Sequence, residues 1–254
     1  MPFETLTLSG VTKRFGGVTA VSEVSFAIPA GQITGLIGPN GAGKSTVVNL
    51  IAGVLSLSEG QIRLGARALD QLPADAVARA GIARTFQNIR LLPEASVLDN
   101  VVVGCHRLER ASLLANLLGL PASWQEGRRL RERAHALLER FGMARYAGTP
   151  AGGLSYGHQR RVEMMRALAT EPSLLLLDEP VAGMNDVEAG ELGDLFEGLA
   201  RSGMAVLLIE HNVPFVMRLC AEIHVLDSGR LIASGPPETI LRDEAVVSAY
   251  LGAA

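Results

Sequence analysis

The chain has 254 residues, which suits one large domain or one domain with an inserted subdomain. A composition of 48% hydrophobic, 19% charged and only 4% aromatic residues is ordinary for an α/β protein and poor for a β-sandwich or a base-stacking nucleic-acid module. Because the formal net charge is −3, the protein lacks a general basic field, and we expect no nucleic-acid partner.

The cysteines and the apolar runs limit the compartments that the sequence favours. Cys105 and Cys220 are far apart and belong to no CxxC or Cys/His pattern, so we expect two reduced thiols. The apolar runs are of strand length, and the start, MPFETLTLSG, lacks the basic and apolar regions of a signal peptide. Any membrane association is therefore expected to be peripheral or through a partner.

The first part of the chain favours strands around one glycine-rich loop. Polar and apolar residues alternate over 3–28 and predict an antiparallel hairpin. ITGLIG (33–38) predicts a buried strand that runs into glycines and then into a helix, STVVNLIAGVL. A second small hairpin is predicted at 60–70.

Between about 95 and 170 the pattern becomes helical. One helix carries an apolar stripe, and the stripe consists of Leu130, Ala134, Leu137, Leu138 and Phe141. The basic run at 128–133 holds no aromatic residue, so a solvated helix face is favoured over a nucleic-acid patch. We interpret this region as a helical insert.

Strand patterns return after the insert. The runs at 174–178 and 205–210 are each followed by a helical stretch, which predicts a parallel sheet with ligands at its carboxyl edge. IHVLDSGRLIASG predicts a hairpin turning at Ser228–Gly229, and PPETILRDEAVVSAYL predicts one final helix. We therefore predict a single domain, 1–254, with an α/β core and antiparallel β subdomain (1–94 and 171–254) and a helical insert (95–170).

The segment GPNGAGKST (38–46) matches the phosphate-loop pattern and lies between a predicted strand and a predicted helix. Its residues are Gly38, Pro39, Asn40, Gly41, Ala42, Gly43, Lys44, Ser45 and Thr46. The glycines allow backbone amides to converge on phosphate oxygens, Lys44 reaches the β and γ phosphates, and the Ser45 hydroxyl ligates Mg²⁺. A plain glycine-rich turn is the alternative. The pattern in this context predicts a nucleoside triphosphate site.

Two acidic residues end the buried run LLLLDE (174–179). Asp178 suits the Mg²⁺ shell, directly or through water, and Glu179 suits activation of the water that attacks the γ phosphorus. On its own the pair could also be an ordinary charged loop. Together with the phosphate loop it favours hydrolysis over binding alone.

A second helix start follows LSYGHQR (154–160), where Ser155 and Gly157 lead into a helical run and are typical of an anion site. Gln87 in RTFQN and His211 in LLIEHN fall where loops leave strands. Alone, a glutamine or histidine at such a place is usually structural or solvated.

The order of these motifs resembles that of the ATP-binding cassette ATPases over nearly the whole chain. The order is GPNGAGKST, Gln87, LSYGHQ, LLLLDEP and His211. The resemblance implies a phosphate-loop NTPase core in which two cassettes close head to tail, so that Ser155 and Gly157 contact the γ phosphate held by Lys44 of the second copy.

The resemblance also implies individual roles. Gln87 would sense Mg²⁺ and the attacking water and link the site to a membrane partner, Glu179 would be the general base, and His211 would contact the γ phosphate. Phe15 in KRFGG matches the aromatic residue that stacks on adenine, with a buried core position as the alternative.

The sequence departs from the family pattern at three positions. The signature usually reads LSGGQ, whereas Tyr156 and His158 stand here, and Asn185 occupies a position where Asp is common. Tyr156 is tolerable where the backbone needs no positive φ. We hypothesise that His158 is a polar contact near the ribose, with a neutral substitution as the alternative.

Finer resemblance is to the LivG-type ATPases of bacterial branched-chain amino acid importers, carried by KRFGGVTAVSEVSF, RTFQNIRLLPEASVLDNV, DEPVAGMN and LIEHNVPFVM. It implies ATP and Mg²⁺ as cofactors, a second ATPase subunit (a copy or a paralogue), membrane permeases, a periplasmic binding protein indirectly, and a peripheral place on the cytoplasmic face of the inner membrane.

Alternative classes stay open at this point. Importers of urea, short amides or other amino acids use similar subunits, and some cassette ATPases act on ribosomes or in DNA repair. A phosphate-loop kinase or GTPase is disfavoured because NKxD is absent and LSYG has no role there. A regulatory module that only holds ATP is disfavoured by Glu179 and His211.

Overall fold

The computed structural model describes residues 4–85, 89–106 and 121–251, with the side chains of 121–123 and 251 left aside. The chain divides into two compact units, Met1–Arg84 with Ser173–Ala254, and Thr85–Pro172. The strands are β1 (Leu6–Phe15), β2 (Val18–Ile28), β3 (Ile33–Ile37), β4 (Glu59–Leu64), β5 (Arg67–Ala68), β6 (Ile82–Arg84), β7 (Leu174–Asp178), β8 (Ala205–Ile209), β9 (Glu222–Asp227) and β10 (Arg230–Gly235). The α-helices are α1 (Lys44–Ile51), α2 (Ala74–Ala80), α3 (Val97–Cys105), α4 (Pro121–Arg140), α5 (Tyr156–Leu168), α6 (Asp186–Arg201), α7 (Val213–Leu219), α8 (Pro237–Ile240) and α9 (Glu244–Leu251).

Two sheets form the first unit. The smaller is antiparallel, in the order β2-β1-β4-β5, and confirms both predicted hairpins of the N-terminal part. The larger runs β10-β9-β3-β8-β7-β6 and is parallel except at β10. Its strands β3, β7 and β8 are buried along their whole length, as strands covered on both faces must be.

The core of this unit combines side chains of both sheets with those of α1. Leu8 and Val21 come from the antiparallel sheet, Val47 from α1, and Leu176 and Leu207 from the parallel sheet. Since β3, β8 and β7 are parallel neighbours, their carboxyl ends lie at one edge. The phosphate loop, Asp178, Glu179 and His211 follow or end these strands at that edge.

The helical unit packs α3, α4 and α5 together. In α4 the predicted stripe is confirmed: Leu130, Ala134, Leu138 and Phe141 are buried and Leu137 is half-buried. Helices α3 and α5 approach closely at Gly104, where an added Cβ would lie 2.2 Å from the carbonyl oxygen of Arg166.

The end of the chain corrects one prediction. Instead of one helix, α8 and α9 are separated at Asp243, whose Oδ1 accepts hydrogen bonds from the amides of Ala245 (2.8 Å) and Val246 (3.2 Å). Capping by a short acidic side chain competes with continuation of the helix. The predicted proline in the first turn is present as Pro237, and the hairpin at Ser228–Gly229 joins β9 to β10.

Cys105 and Cys220 are buried free thiols, and burial raises the pKa of Cys220 to about 12. Among the helices of the described ranges, none has both the length and the apolar character needed to cross a bilayer.

Candidate functional site

The phosphate loop follows β3 and leads directly into α1, as predicted. Gly38 has φ 148, and a Cβ at this residue would lie 2.0 Å from the carbonyl oxygen of Leu226. A side chain is therefore excluded there by both conformation and space. The loop can present its backbone because this position is glycine.

The side chain of Lys44 folds back onto the backbone of the phosphate loop. Its Nζ donates hydrogen bonds to the carbonyl oxygens of Gly38 (2.7 Å) and Pro39 (2.9 Å). Burial lowers the pKa of Lys44, and the carboxylates of Glu179 and Asp178 oppose that shift. The ammonium therefore lies within the electrostatic reach of both acidic residues, in a position to move from carbonyl to phosphate oxygens.

The remaining residues of the loop differ in exposure. Ala42 is buried, Pro39, Gly43 and Thr46 are half-buried, and Asn40, Gly41 and Ser45 are exposed. The Ser45 hydroxyl, in the first turn of α1, is thus open to a ligand.

Asp178 ends β7 and is held by an arginine that the sequence did not single out. Its Oδ2 lies 3.0 Å from Nη2 of Arg84, whose Nη1 bonds Oδ1 of Asn49 in α1. Asp178 and Ser45 offer hard oxygen donors, the ligand type that Mg²⁺ prefers, so these residues fit the predicted ion. Gln87, the third predicted contact of Mg²⁺, lies outside the described residues.

Glu179 and His211 face each other at the carboxyl edge of the parallel sheet. The Oε1 of Glu179 lies 3.1 Å from Nε2 of His211. The backbone of Glu179 is left-handed (φ 50), which is uncommon for a residue with a side chain and marks local strain. Its amide donates to the carbonyl of Ile209 (2.9 Å), so the two loops are joined at the backbone as well.

Glu210 is a further residue at this edge that was missed. It is buried at 5% exposure and accepts hydrogen bonds from backbone amides of both loops. The available signal was a carboxylate at the end of the apolar run AVLLIE, directly before His211. By itself this pattern indicates only a strand.

Phe15 ends β1 with 47% of its surface exposed, and the Nζ of Lys13 lies 5.0 Å from the centre of its ring. The alternative of a buried core position is therefore wrong. With about half of its surface exposed, the ring is accessible to a flat ligand, and Lys13 supplies a cation over it.

In the helical unit, Ser155 is the N-cap of α5. Its Oγ accepts from the amide of His158 (3.5 Å) and lies 2.9 Å from Nδ1 of the same residue. The His158 ring packs on Tyr146 with centroids 4.8 Å apart. Tyr156 begins the helix without a positive φ, so the condition for tolerating tyrosine is met.

The structure thus brings Lys44, Asp178, Glu179 and His211 together within the first unit, each with a contact or electrostatic link to another member or to the loop. Ser155, Gly157 and His158 form a separate, exposed or half-buried helix start in the second unit.

Comparison with known proteins gives the family. The model of the ABC transporter family matches residues 21–182, which is more than half of the chain. The chain belongs to the ABC transporter family. A second, shorter model, that of the branched-chain amino acid ATP-binding cassette transporter, matches residues 230–254.

Curated relatives cover almost the full length. The high-affinity branched-chain amino acid transport ATP-binding protein LivG of Salmonella typhimurium is 41% identical over 250 residues, 98% of either chain. The protein of the corresponding description from Pseudomonas aeruginosa, BraF, is also 41% identical over 98% of each. The lipopolysaccharide export system ATP-binding protein LptB of Escherichia coli is 35% identical over 98% of this chain and 97% of its own.

Solved structures agree. An ATP-binding cassette of an ABC transporter in its ADP conformation superposes with a TM-score of 0.85 at 31% identity, covering 98% of this chain and 99% of that one. A dimeric cassette in a post-hydrolysis state with ADP and Pi gives 0.78 at 25% identity, covering 91% and 98%. Family membership confirms the predicted fold class and the predicted class of activity, an ATPase.

Proposed function

We propose that this chain binds and hydrolyses ATP to power a bacterial importer of branched-chain amino acids. The observation that carries the proposal is the Glu179–His211 contact at the sheet edge beside Lys44, in a chain 41% identical to LivG along 98% of its length. The importer assignment rests on the similarity, and the chemistry rests on the site.

In this proposal the phosphate loop holds the nucleotide. The loop amides and Lys44 bind the β and γ phosphates, and Phe15 stacks on the adenine. Ser45 and Asp178, with Gln87 as the third predicted contact, would hold Mg²⁺, which would supply neutralisation of the phosphate charge. The residues of this half-site are Phe15, Gly38, Pro39, Asn40, Gly41, Ala42, Gly43, Lys44, Ser45 and Thr46.

Hydrolysis is assigned to the pair at the carboxyl edge. Glu179 accepts a proton from the attacking water, and His211, 3.1 Å away, contacts the γ phosphate and holds the carboxylate in place. Gln87 orients the same water.

The second half-site is supplied by another cassette, a copy or a paralogue. Ser155, Gly157 and His158 at the start of α5 contact the γ phosphate and ribose of the ATP held by the facing chain. The amides and partial positive charge of a helix start suit an anion. Closure of the pair on ATP and reopening after hydrolysis form the power stroke.

The motion is delivered to membrane permeases through the helical segment 95–170 and the residues after Gln87. We place the chain peripherally on the cytoplasmic face of the inner membrane, with a periplasmic solute-binding protein acting indirectly through the permeases.

The test uses Glu179→Gln. Since a general base contributes about 10² to 10⁴ in rate, we expect turnover to fall by about 100-fold or more while ATP binding persists. Phosphate release measures the first and nucleotide titration the second. Undiminished hydrolysis by this variant would contradict the general-base assignment.

The transported solute needs a separate experiment. The relative described as a lipopolysaccharide export ATPase, at 35% identity, favours a second candidate, the ATPase of a different transporter. Co-purification with membrane permease subunits and uptake of labelled leucine into membrane vesicles distinguish the branched-chain amino acid importer from a different transporter. If the rate of leucine uptake is the same with Glu179→Gln as with wild type, the importer assignment is excluded.

A further inference from the structure

Glu210 lies at the carboxyl end of β8, immediately before His211, and its side chain is almost fully buried at 5% exposure. Its Oε1 accepts a hydrogen bond from the amide of Val181 (3.0 Å). Its Oε2 accepts from the amides of His211 (3.1 Å) and Asn212 (3.4 Å). Each carboxylate oxygen therefore serves a different loop.

Burying a carboxylate is energetically unfavourable compared with burying an apolar side chain. Burial raises the pKa of Glu210, and the three backbone hydrogen bonds oppose that shift while the nearby Glu179 adds to it. An apolar side chain of similar size would avoid the cost of removing a charge from water. Within the described part of the chain the hydrogen-bond partners of Glu210 are the backbone amides of Val181, His211 and Asn212, so its role is to organise the backbone.

The two loops joined by Glu210 are those of the catalytic pair. Val181 is two residues beyond Glu179, and His211 directly follows Glu210. Between these anchors the Glu179 carboxylate and the His211 ring are 3.1 Å apart. A shift of either loop would change that distance directly.

We propose that Glu210 is a positioning residue for ATP hydrolysis, whose carboxylate ties the loop of Glu179 to the loop of His211 and so fixes the geometry of that pair. The proposal rests on the ATPase function assigned above. It gives Glu210 no contact with ATP and predicts an effect on turnover rather than on nucleotide affinity.

Glu210→Gln separates the two tasks of the side chain. Glutamine has nearly the same volume but only one acceptor oxygen, so it can satisfy one loop while its NH₂ faces the donors of the other. Glu210→Asp keeps the charge and both oxygens but is one methylene shorter and cannot span both loops. The aspartate variant serves if the glutamine variant does not fold.

The control is Val206→Ala, which removes buried volume from the same strand without touching either loop. Since a misplacement of about 1 Å costs about 100-fold, we expect kcat of Glu210→Gln to fall by about 10-fold to 100-fold with KM for ATP changed by less than about twofold. We expect Val206→Ala to lower Tm yet keep kcat within about twofold of wild type.

A double-mutant cycle with His211→Ala, measured by single-turnover phosphate release, supplies the decisive readout. If Glu210 acts by aligning His211 with Glu179, the loss caused by Glu210→Gln shrinks in the His211→Ala background. A loss that multiplies in full overturns the proposal. So does a Glu210→Gln enzyme with wild-type kcat, or a Val206→Ala enzyme that loses as much. All variants are assayed with the second ATPase subunit present, and a wild type that does not hydrolyse ATP in that assembly overturns the ATPase function and this inference with it.

Discussion

The phosphate loop and the start of α5 are both proposed anion sites, but they differ in how many of their side chains are paired within the chain. Around the loop, Lys44 is bonded to two carbonyls, Asp178 to Arg84, and Glu179 to His211. At the start of α5, Ser155 and His158 bond to each other, and Ser155 is exposed while His158 is half-buried. One region is organised within the fold, and the other presents a surface.

This difference indicates how one ATPase can be controlled by assembly. We expect a site whose catalytic groups are held within one chain to bind nucleotide by itself. A helix start on the surface adds its amides only when a second molecule faces it. Variants of the two regions should therefore separate affinity in the monomer from closure of the pair.

The largest effect is expected from Lys44→Ala. Removing the buried ammonium deletes charge-assisted bonds to the phosphates, so we expect ATP affinity to fall by about 100-fold or more. Isothermal titration of the monomer measures it. Unchanged affinity would contradict the phosphate-loop assignment and with it the distinction between the two regions.

Ser155→Ala should have a smaller and different effect. In the Glu179→Gln background, we expect normal ATP binding by the monomer but weaker ATP-dependent dimerisation, measured by light scattering. Loss of an N-cap alone costs about 1 kcal/mol of stability.

Ser96→Ala is the matched control for that variant. Ser96 caps α3 in the same unit by accepting from the amide of Asp99 (3.0 Å). We expect it to lose similar stability and keep dimerisation. Equal loss of dimerisation in both variants would mean that capping, rather than contact with the facing nucleotide, is responsible.

The smallest effect is expected from His158→Gln. Glutamine can replace the ring as a polar partner of Ser155, so we expect turnover within about threefold of wild type. ATPase activity measured from pH 6 to pH 8.5 checks whether the imidazole adds pH sensitivity. Superimposable profiles would leave His158 as a neutral substitution, and a large loss would make it a required contact.

Much of the first unit could be predicted from the sequence because its signals are local. The phosphate-loop pattern between a strand and a helix predicts the loop directly. The alternation of polar and apolar residues over 3–28 predicts the hairpin in the same local way. The exposure of Phe15 could not be predicted in this way, because an aromatic residue at the end of a strand gives the same sequence pattern whether its ring is buried or exposed.

The features that the sequence did not predict share a physical cause. Asp243 divides the last helix because its side chain can cap the next turn, which competes with a helical pattern that looks continuous. Glu210 and Arg84 act on residues far away in sequence, Val181 and Asp178, and only the pairing of β7 with β8 and β6 brings them together. Periodicity carries no information on such contacts.

The two carbonyl bonds of Lys44 also give its side chain a mechanical role. They run from the first residue of α1 back to Gly38 and Pro39, so the side chain ties the two ends of the phosphate loop together. Loss of this lysine therefore removes an internal brace of the loop as well as a positive charge.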